Sequence, residues 1–365
     1  MLSLKRALAI LGTLGVLFFL SFFIEGHLQA VAFRVVMLSG IAIIMAVSLN
    51  LINGFTGQFS IGHAGFQAVG AYAAAALTVY GHNNIFGQLP RGGQMPNTFE
   101  YFLKGAPAML CALLAGGLLA ALVGYIVGLP SLRLKGDYLA IVTLGFGEII
   151  RVAVENTDAV GGPRGFTGNI NQGIYIPQLT NFFWVFLIAI LVVVVSYNIR
   201  FSAQGLQYLS VREDEIAAQA MGVNTTRVKV NAFVLGAFFA GMAGALYAHF
   251  EQSVAPTSFG FVRSFDFVTM VVLGGLGSIT GSVLAAIILT ALPEILRSSL
   301  GAQFNQYRLV TYAFLLIVLM LVRPQGIFGR GELRIDRLFG RKRSGGGTGG
   351  RGSDNEDQPA ATELN

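Results

Sequence analysis

Charge and cysteine are what this chain has least of. Of its 365 residues only 12% are charged, against about 25% in an ordinary soluble domain. So few charges cannot dress a water-soluble surface of this size, and 54% of the chain is hydrophobic. Together these figures place it in the membrane class. A single cysteine, Cys111, closes no intrachain disulfide and builds no metal cluster. Within "APAMLCALLAGG" it reads as a small buried apolar residue. The G-x-x-x-x-G-K-[ST] phosphate loop is missing throughout, so any nucleotide chemistry of that kind belongs to another chain. His63 has no second histidine or nucleophile at useful spacing, which weighs against an intramembrane enzyme. The net charge of +6 reads as a topological signal rather than a nucleic-acid one.

What the chain does have is long apolar runs. A bilayer core asks for about 20 apolar residues per helix. Runs of that kind lie near 7–24, 31–52, 62–80, 106–129, 136–153, 181–199, 228–250 and 306–322, with a broken stretch at 266–296. Helices are expected, since the ten-residue alternation of a barrel is missing. The first run follows Lys5 and Arg6 as a signal peptide would. Its length and the lack of a small-x-small cleavage site make it a retained first helix. Lysine and arginine mark the cytoplasmic side. Lys5 and Arg6 put the N-terminus inside. Arg133 and Lys135, then Arg200, Arg212, Arg227 and Lys229, then Arg323, Arg330, Arg334 and Arg337 follow on that side. Both termini inside requires an even number of spans. Splitting 266–296 at "LGGLGSITGS" gives about ten. The expected fold is therefore an all-α polytopic membrane protein of about ten transmembrane or broken helices. Residues 1–330 form the membrane domain, and 331–365 a flexible, basic, Gly-rich cytoplasmic tail. Loops 81–105 and 154–180 fall outside.

Two stretches interrupt the helices at membrane depth. "SLNLINGFTGQFSIGHAGFQAVGAY" joins two apolar runs and mixes glycine with polar residues: Asn50, Asn53, Gly54, Gly57, Gln58, Ser60, Gly62 and His63. "GGLGSITGS" is a weaker echo with Gly274, Gly275 and Gly277. Backbone that leaves the helix inside a membrane must be buried in protein or line a water-filled path. Paired breaks in two halves point to a transporter's substrate path. Tight helix packing by small residues is the competing reading, and the two are compatible. His63 suits a loop-holding hydrogen bond better than a proton relay. In "GDYLAIVTLGFGEIIRVAVEN", Glu148 and Arg151 share a helical face and can pair. Orienting the helix is weighed slightly above a transport role. Thr143 and Gly145 belong to the same segment.

Between two apolar runs sits "REDEIAAQAMGVN", residues 212–224. It reads as a short helix on the cytoplasmic side, with acids in its first turn and Gly222 at its stop. Ala217, Ala218 and Ala220 leave room for another protein's surface. An ordinary solvated loop is the alternative.

The pattern Glu215, Ala217, Ala218, Gly222 resembles the coupling-helix motif of ABC-importer permeases. "LNLINGFTGQFSIGHAGFQAVGAYAAA", "GDYLAIVTLGFGEIIRVAVEN", "GGPRGFTG" and "VVLGGLGSITGSVLAAIILTALPEILR" resemble the LivM-type permease of branched-chain amino-acid importers. The likeness runs in order from about residue 30 to 328. It does not include the N-terminal run or the tail, and the insert at 81–97 is longer than the usual family loop. The resemblance implies a permease subunit in a bacterial inner membrane that transports hydrophobic amino acids without being an enzyme. Its partners would be a LivH-type second permease, two ATPases that hold ATP and Mg, and an external amino-acid-binding protein. No cofactor is expected in this chain. Glu213, Asp214, Glu215, Ala217, Ala218 and Gly222 would meet the ATPase. The polar and glycine residues of both breaks, with Thr143, Gly145 and Glu148, would line the path. Two other readings are a urea or short-amide permease of the same build and an ion-coupled secondary transporter. The latter needs intramembrane carboxylates, for which Glu148 and Asp266 are the candidates. A purely structural subunit leaves the polar breaks unexplained.

Overall fold

The computed structural model describes residues 27–81, 99–132, 136–169 and 173–300, with positions 12, 15–21, 23, 24, 134, 310, 314 and 317 besides. The expected tail, the span at 306–322 save three positions, and the basic residues Arg133, Lys135, Arg323, Arg330, Arg334 and Arg337 lie outside these. The described positions between 12 and 24 are helical.

Ten helices with clear bounds follow. They are α1 (Ala30–Asn50), α2 (His63–Tyr80), α3 (Phe99–Ser131), α4 (Asp137–Glu155) and α5 (Phe182–Arg200), then α6 (Ala203–Glu213), α7 (Glu215–Ala220), α8 (Thr225–Glu251), α9 (Phe261–Gly274) and α10 (Ile279–Leu300). Five are long and apolar enough to cross a membrane among the described residues: Ala30–Phe55, Leu103–Ser131, Phe182–Arg200, Thr225–Glu251 and Pro256–Gly274. The expected runs at 62–80 and 136–153 are helices as well but fall outside that set. One is built from alanine, glycine and polar residues, and the other carries Glu148, Arg151 and Glu155. The loop expected at 81–105 is shorter than predicted, because α3 already begins at Phe99.

Burial sorts the spans. In its most apolar window α1 is 83% buried and α8 72%, whereas α3 and α5 are 39%. The first two form the middle of the bundle, and the other two present apolar side chains outward, as lipid requires. Leu110, Leu114, Leu118 and Leu122 lie exposed along α3. Cys111 is exposed on this rim, not buried as expected; an apolar thiol suits hydrocarbon as well as a protein core. Inside, α2, α3 and α8 meet at glycines. A methyl group on Gly70 would lie 2.1 Å from the Gly241 carbonyl oxygen, and one on Gly241 2.4 Å from that of Gly116. Backbones come this close only where side chains are absent.

The two ends of the bundle differ. At one end, 3-10 turns at Asp158–Val160 and Gly162–Arg164 lead into a two-residue hairpin, β1 (Gly168–Asn169) with β2 (Ile174–Tyr175). Phe166 pairs with Val254, and the Tyr72 hydroxyl donates to the Val254 carbonyl at 2.9 Å. Arg34 bridges to Glu251 at 2.8 Å, joining the start of α1 to the end of α8. At the opposite end lie the exits of α1, α5 and α9, both glycine-rich breaks and the short helices α6 and α7.

Candidate translocation junction and coupling elbow

α1 ends in a π turn, Leu51–Phe55, fully buried. Wide turns of this kind recur at functional sites. The chain then leaves the helix until His63. Asn53 closes the excursion on itself: its carbonyl oxygen accepts from the Ser60 N–H at 3.1 Å and its amide donates to the Ser60 carbonyl at 3.4 Å. Thr143 accepts from the Ile61 N–H at 3.1 Å, and Ser264 from the Ala64 N–H at 3.2 Å, tying the excursion to α4 and α9. His63 Nε2 lies 2.8 Å from the Ser48 hydroxyl, the loop-holding contact expected of it.

The second break, Gly275–Ser278, separates α9 from α10, as the sequence required. The two breaks touch. Asn50 donates to the Ser278 carbonyl at 3.1 Å and accepts from the Gly277 N–H at 2.9 Å. One side-chain amide thus satisfies both sides of the second break from the end of α1. The approach is possible because Gly54 has no side chain: a methyl there would sit 1.9 Å from Asn50 Oδ1 and 2.5 Å from the Gly277 nitrogen. Gly277 itself has φ +87°, a left-handed conformation that favours glycine. Gly274 packs against the Gly281 backbone, and Gly62 against the Thr143 carbonyl.

Several buried polar atoms in the first break find no protein partner: both amide atoms of Gln58, the Ser60 hydroxyl and His63 Nδ1. The Gln67 amide on α2, one of the polar residues of the same glycine-rich stretch, shares this state. Buried polar groups are nearly always satisfied, so these atoms leave unmet hydrogen-bonding capacity in and beside the first break.

Not every expected residue gathers here. Gly145 is exposed on α4 with nothing near its α-carbon face. Glu148 pairs with Arg151 at 2.7 Å, as its spacing predicted, and accepts from the Phe261 N–H at 3.0 Å, capping α9. The second contact ties α4 to the start of α9. Asp266 is buried beside Arg263 at 3.6 Å. Both carboxylates that an ion-coupled mechanism would use therefore sit against arginines.

The charged island is two helices rather than one. Asp214 adopts extended backbone (φ −155°, ψ 111°), and its carboxylate accepts from the Ile216 and Ala217 N–H groups at 2.8 and 3.1 Å. It is the N-cap of α7, so Glu213 belongs to the end of α6. Glu215 meets Lys229 of α8 at 2.7 Å. Gly222, at φ +84°, ends the turn. Ala217 is exposed, but Ala218 is buried against the bundle and is not the open surface the alanine pattern predicted. The large exposed apolar side chains are Ile216 at 72% and Met221 at 84%. Sequence reading passed over both, though an isoleucine and a methionine flanking alanines in a polar loop were visible.

Residues 31–322 match the family described as the branched-chain amino acid transport system, permease component. The chain belongs to this permease family. It is 35% identical over 316 residues to the high-affinity branched-chain amino acid transport system permease protein LivM of Salmonella typhimurium, covering 79% of this chain and 67% of the relative. The Escherichia coli LivM is likewise 35% identical over 319 residues, 80% of this chain and 68% of that protein. The Salmonella typhimurium permease protein LivH is 36% identical over a shorter stretch of 135 residues, 37% of this chain and 42% of the relative. No solved structure matches the chain. The permease is thus a multi-pass membrane transport component, and the elbow and the touching breaks are parts of a transport machine.

Proposed function

We propose that this permease forms part of the pathway of an ATP-driven importer of branched-chain amino acids in a bacterial inner membrane. It works beside a LivH-type second permease. Two separate ATPases bind ATP and Mg and hold α7. An external binding protein delivers the amino acid to the hairpin end, where a cleft of about 850 Å³ is lined by Tyr80, Asp158, Arg164 and Phe166 among others. The elbow end is cytoplasmic, consistent with Arg200, Arg212, Arg227 and Lys229 gathered there. The described helices alternate between the two ends in the order this orientation needs, and the runs at 7–24 and 306–322 complete about ten crossings with both termini inside.

The observation that carries this reading is the meeting of both glycine-rich breaks beside the exposed elbow. Movement of α7 under ATPase closure reaches the breaks through a few residues. Unpaired polar atoms of Gln58, Ser60, His63 and Gln67 offer a passing solute hydrogen bonds without a deep site. Selectivity then rests with the delivering protein. Glu213, Asp214, Ile216, Ala217 and Met221 form the outward face for the ATPase, and Ala218, Glu215 and Gly222 set its shape. The test is uptake of labelled leucine, isoleucine, valine and urea by the reconstituted complex. Branched-chain substrates are taken up with ATP. Uptake driven by an ion gradient with ATP exhausted, or of urea alone, contradicts the proposal.

A further inference from the structure

Two arginines of the elbow reach into the breaks. Arg212, the last basic residue of α6, donates from Nη1 to the Gly54 carbonyl at 2.7 Å. Arg200, the last residue of α5, donates to the Gly277 carbonyl. Their targets are the two glycines that face each other across the Asn50 bridge. A methyl on Gly277 would lie 2.8 Å from Arg212 Nη1, and one on Gly57 3.0 Å from Arg212 Cγ. Arg212 is therefore wedged against both breaks. Arg200 also lies over the Phe55 ring, 5.9 Å from its centroid, and so touches the π turn as well.

Carbonyls that leave a helix inside a membrane protein need donors. A guanidinium supplies several in a fixed plane and stays charged. A plain structural donor, a serine or a backbone N–H, would satisfy these carbonyls from within the bundle. Here both donors come instead from the ends of α5 and α6, the two successive helices that lead into α7. Arg212 stands one residue before Glu213 and two before Asp214, the α7 cap. Any shift of α7 pulls on Arg212 through a single residue of extended backbone.

We infer that Arg200 and Arg212 are positioning residues that latch both breaks to the elbow and carry its displacement to the pathway. The inference deepens the importer reading and rests on it. With the latch intact, the breaks follow the elbow as one body. With it cut, the ATPases still grip α7 and hydrolyse ATP, but the breaks no longer follow.

The test uses R200Q, R212Q and R212K in the full complex, with two readouts. The first is amide hydrogen exchange of segments 51–62 and 275–278. The second is substrate transported per ATP hydrolysed in proteoliposomes. In R212Q and R200Q both segments exchange faster, and transport per ATP falls about tenfold, within the usual range of coupling between sites. ATP hydrolysis stays close to that of the unmodified complex, and R212K, which keeps the charge and more of the reach than glutamine but not the planar fork, falls between. Should the glutamine variants not assemble, R212K alone still decides, through the same ratio. Unchanged exchange in both segments overturns the latch, and so does an equal fall of transport and hydrolysis, which a merely structural role produces. An unmodified complex with no ATP-dependent uptake contradicts the importer reading, and the latch's role with it. Normal uptake at an unchanged ratio in the variants contradicts the latch alone.

Discussion

Asn50 is a single side chain that holds two interruptions of the membrane fold, and Gly54 is what lets it reach. G54A puts a methyl on Asn50 Oδ1 and forces the amide off Gly277 and Ser278. Leaving such buried groups unmet costs about 1–3 kcal/mol. Thermal unfolding of the purified protein in detergent should show that loss, and a wild-type midpoint would contradict the bridge. Lys229 gives a second residue-scale expectation. Its side chain is 9% exposed and that of Glu215 24%, so K229M strands a partly buried carboxylate at the base of α7. The expected cost is about 1–3 kcal/mol, below that of a fully buried pair. The double variant K229M/E215Q should recover part of it in the same unfolding measurement.

At the scale of elements, α7 has an inner and an outer face, and the two respond differently to substitution. I216D leaves the bundle intact but weakens ATPase association by roughly tenfold or more, as loss of an interface anchor does; co-purification and titration measure this. A218F instead overpacks the contact with the bundle and lowers stability by about 1–3 kcal/mol, with docking lost only through that damage. The alanine pattern could not tell these faces apart, because Asp214 stops α6 and restarts the chain in a new direction. Helix positions were legible, since apolar run length nearly dictates a span. The runs at 31–52, 181–199 and 228–250 match α1, α5 and α8 within a few residues. The split of 266–296 was legible too, from its glycines. That the two breaks meet was not, because the Asn50 bridge joins residues more than two hundred positions apart. Arg200 and Arg212 were read only as markers of the cytoplasmic side. Nothing in their local pattern says that each reaches a particular carbonyl.

At the scale of the molecule, the account requires the elbow and the hairpin to face opposite sides of the membrane. With Cys111 replaced by serine, a cysteine at Gln219 or Leu276 is expected to react with impermeant thiol reagents only from the cytoplasm, and one at Tyr175 only from outside. Reaction of both sets from one side overturns the orientation. The most direct measurement of the central claim is uptake of labelled leucine into proteoliposomes holding this permease, its second permease and the ATPases, with the binding protein present. The account predicts accumulation only when ATP is supplied, abolished when this chain is left out. Accumulation that continues with ATP exhausted, or that needs no partner ATPase, would contradict it.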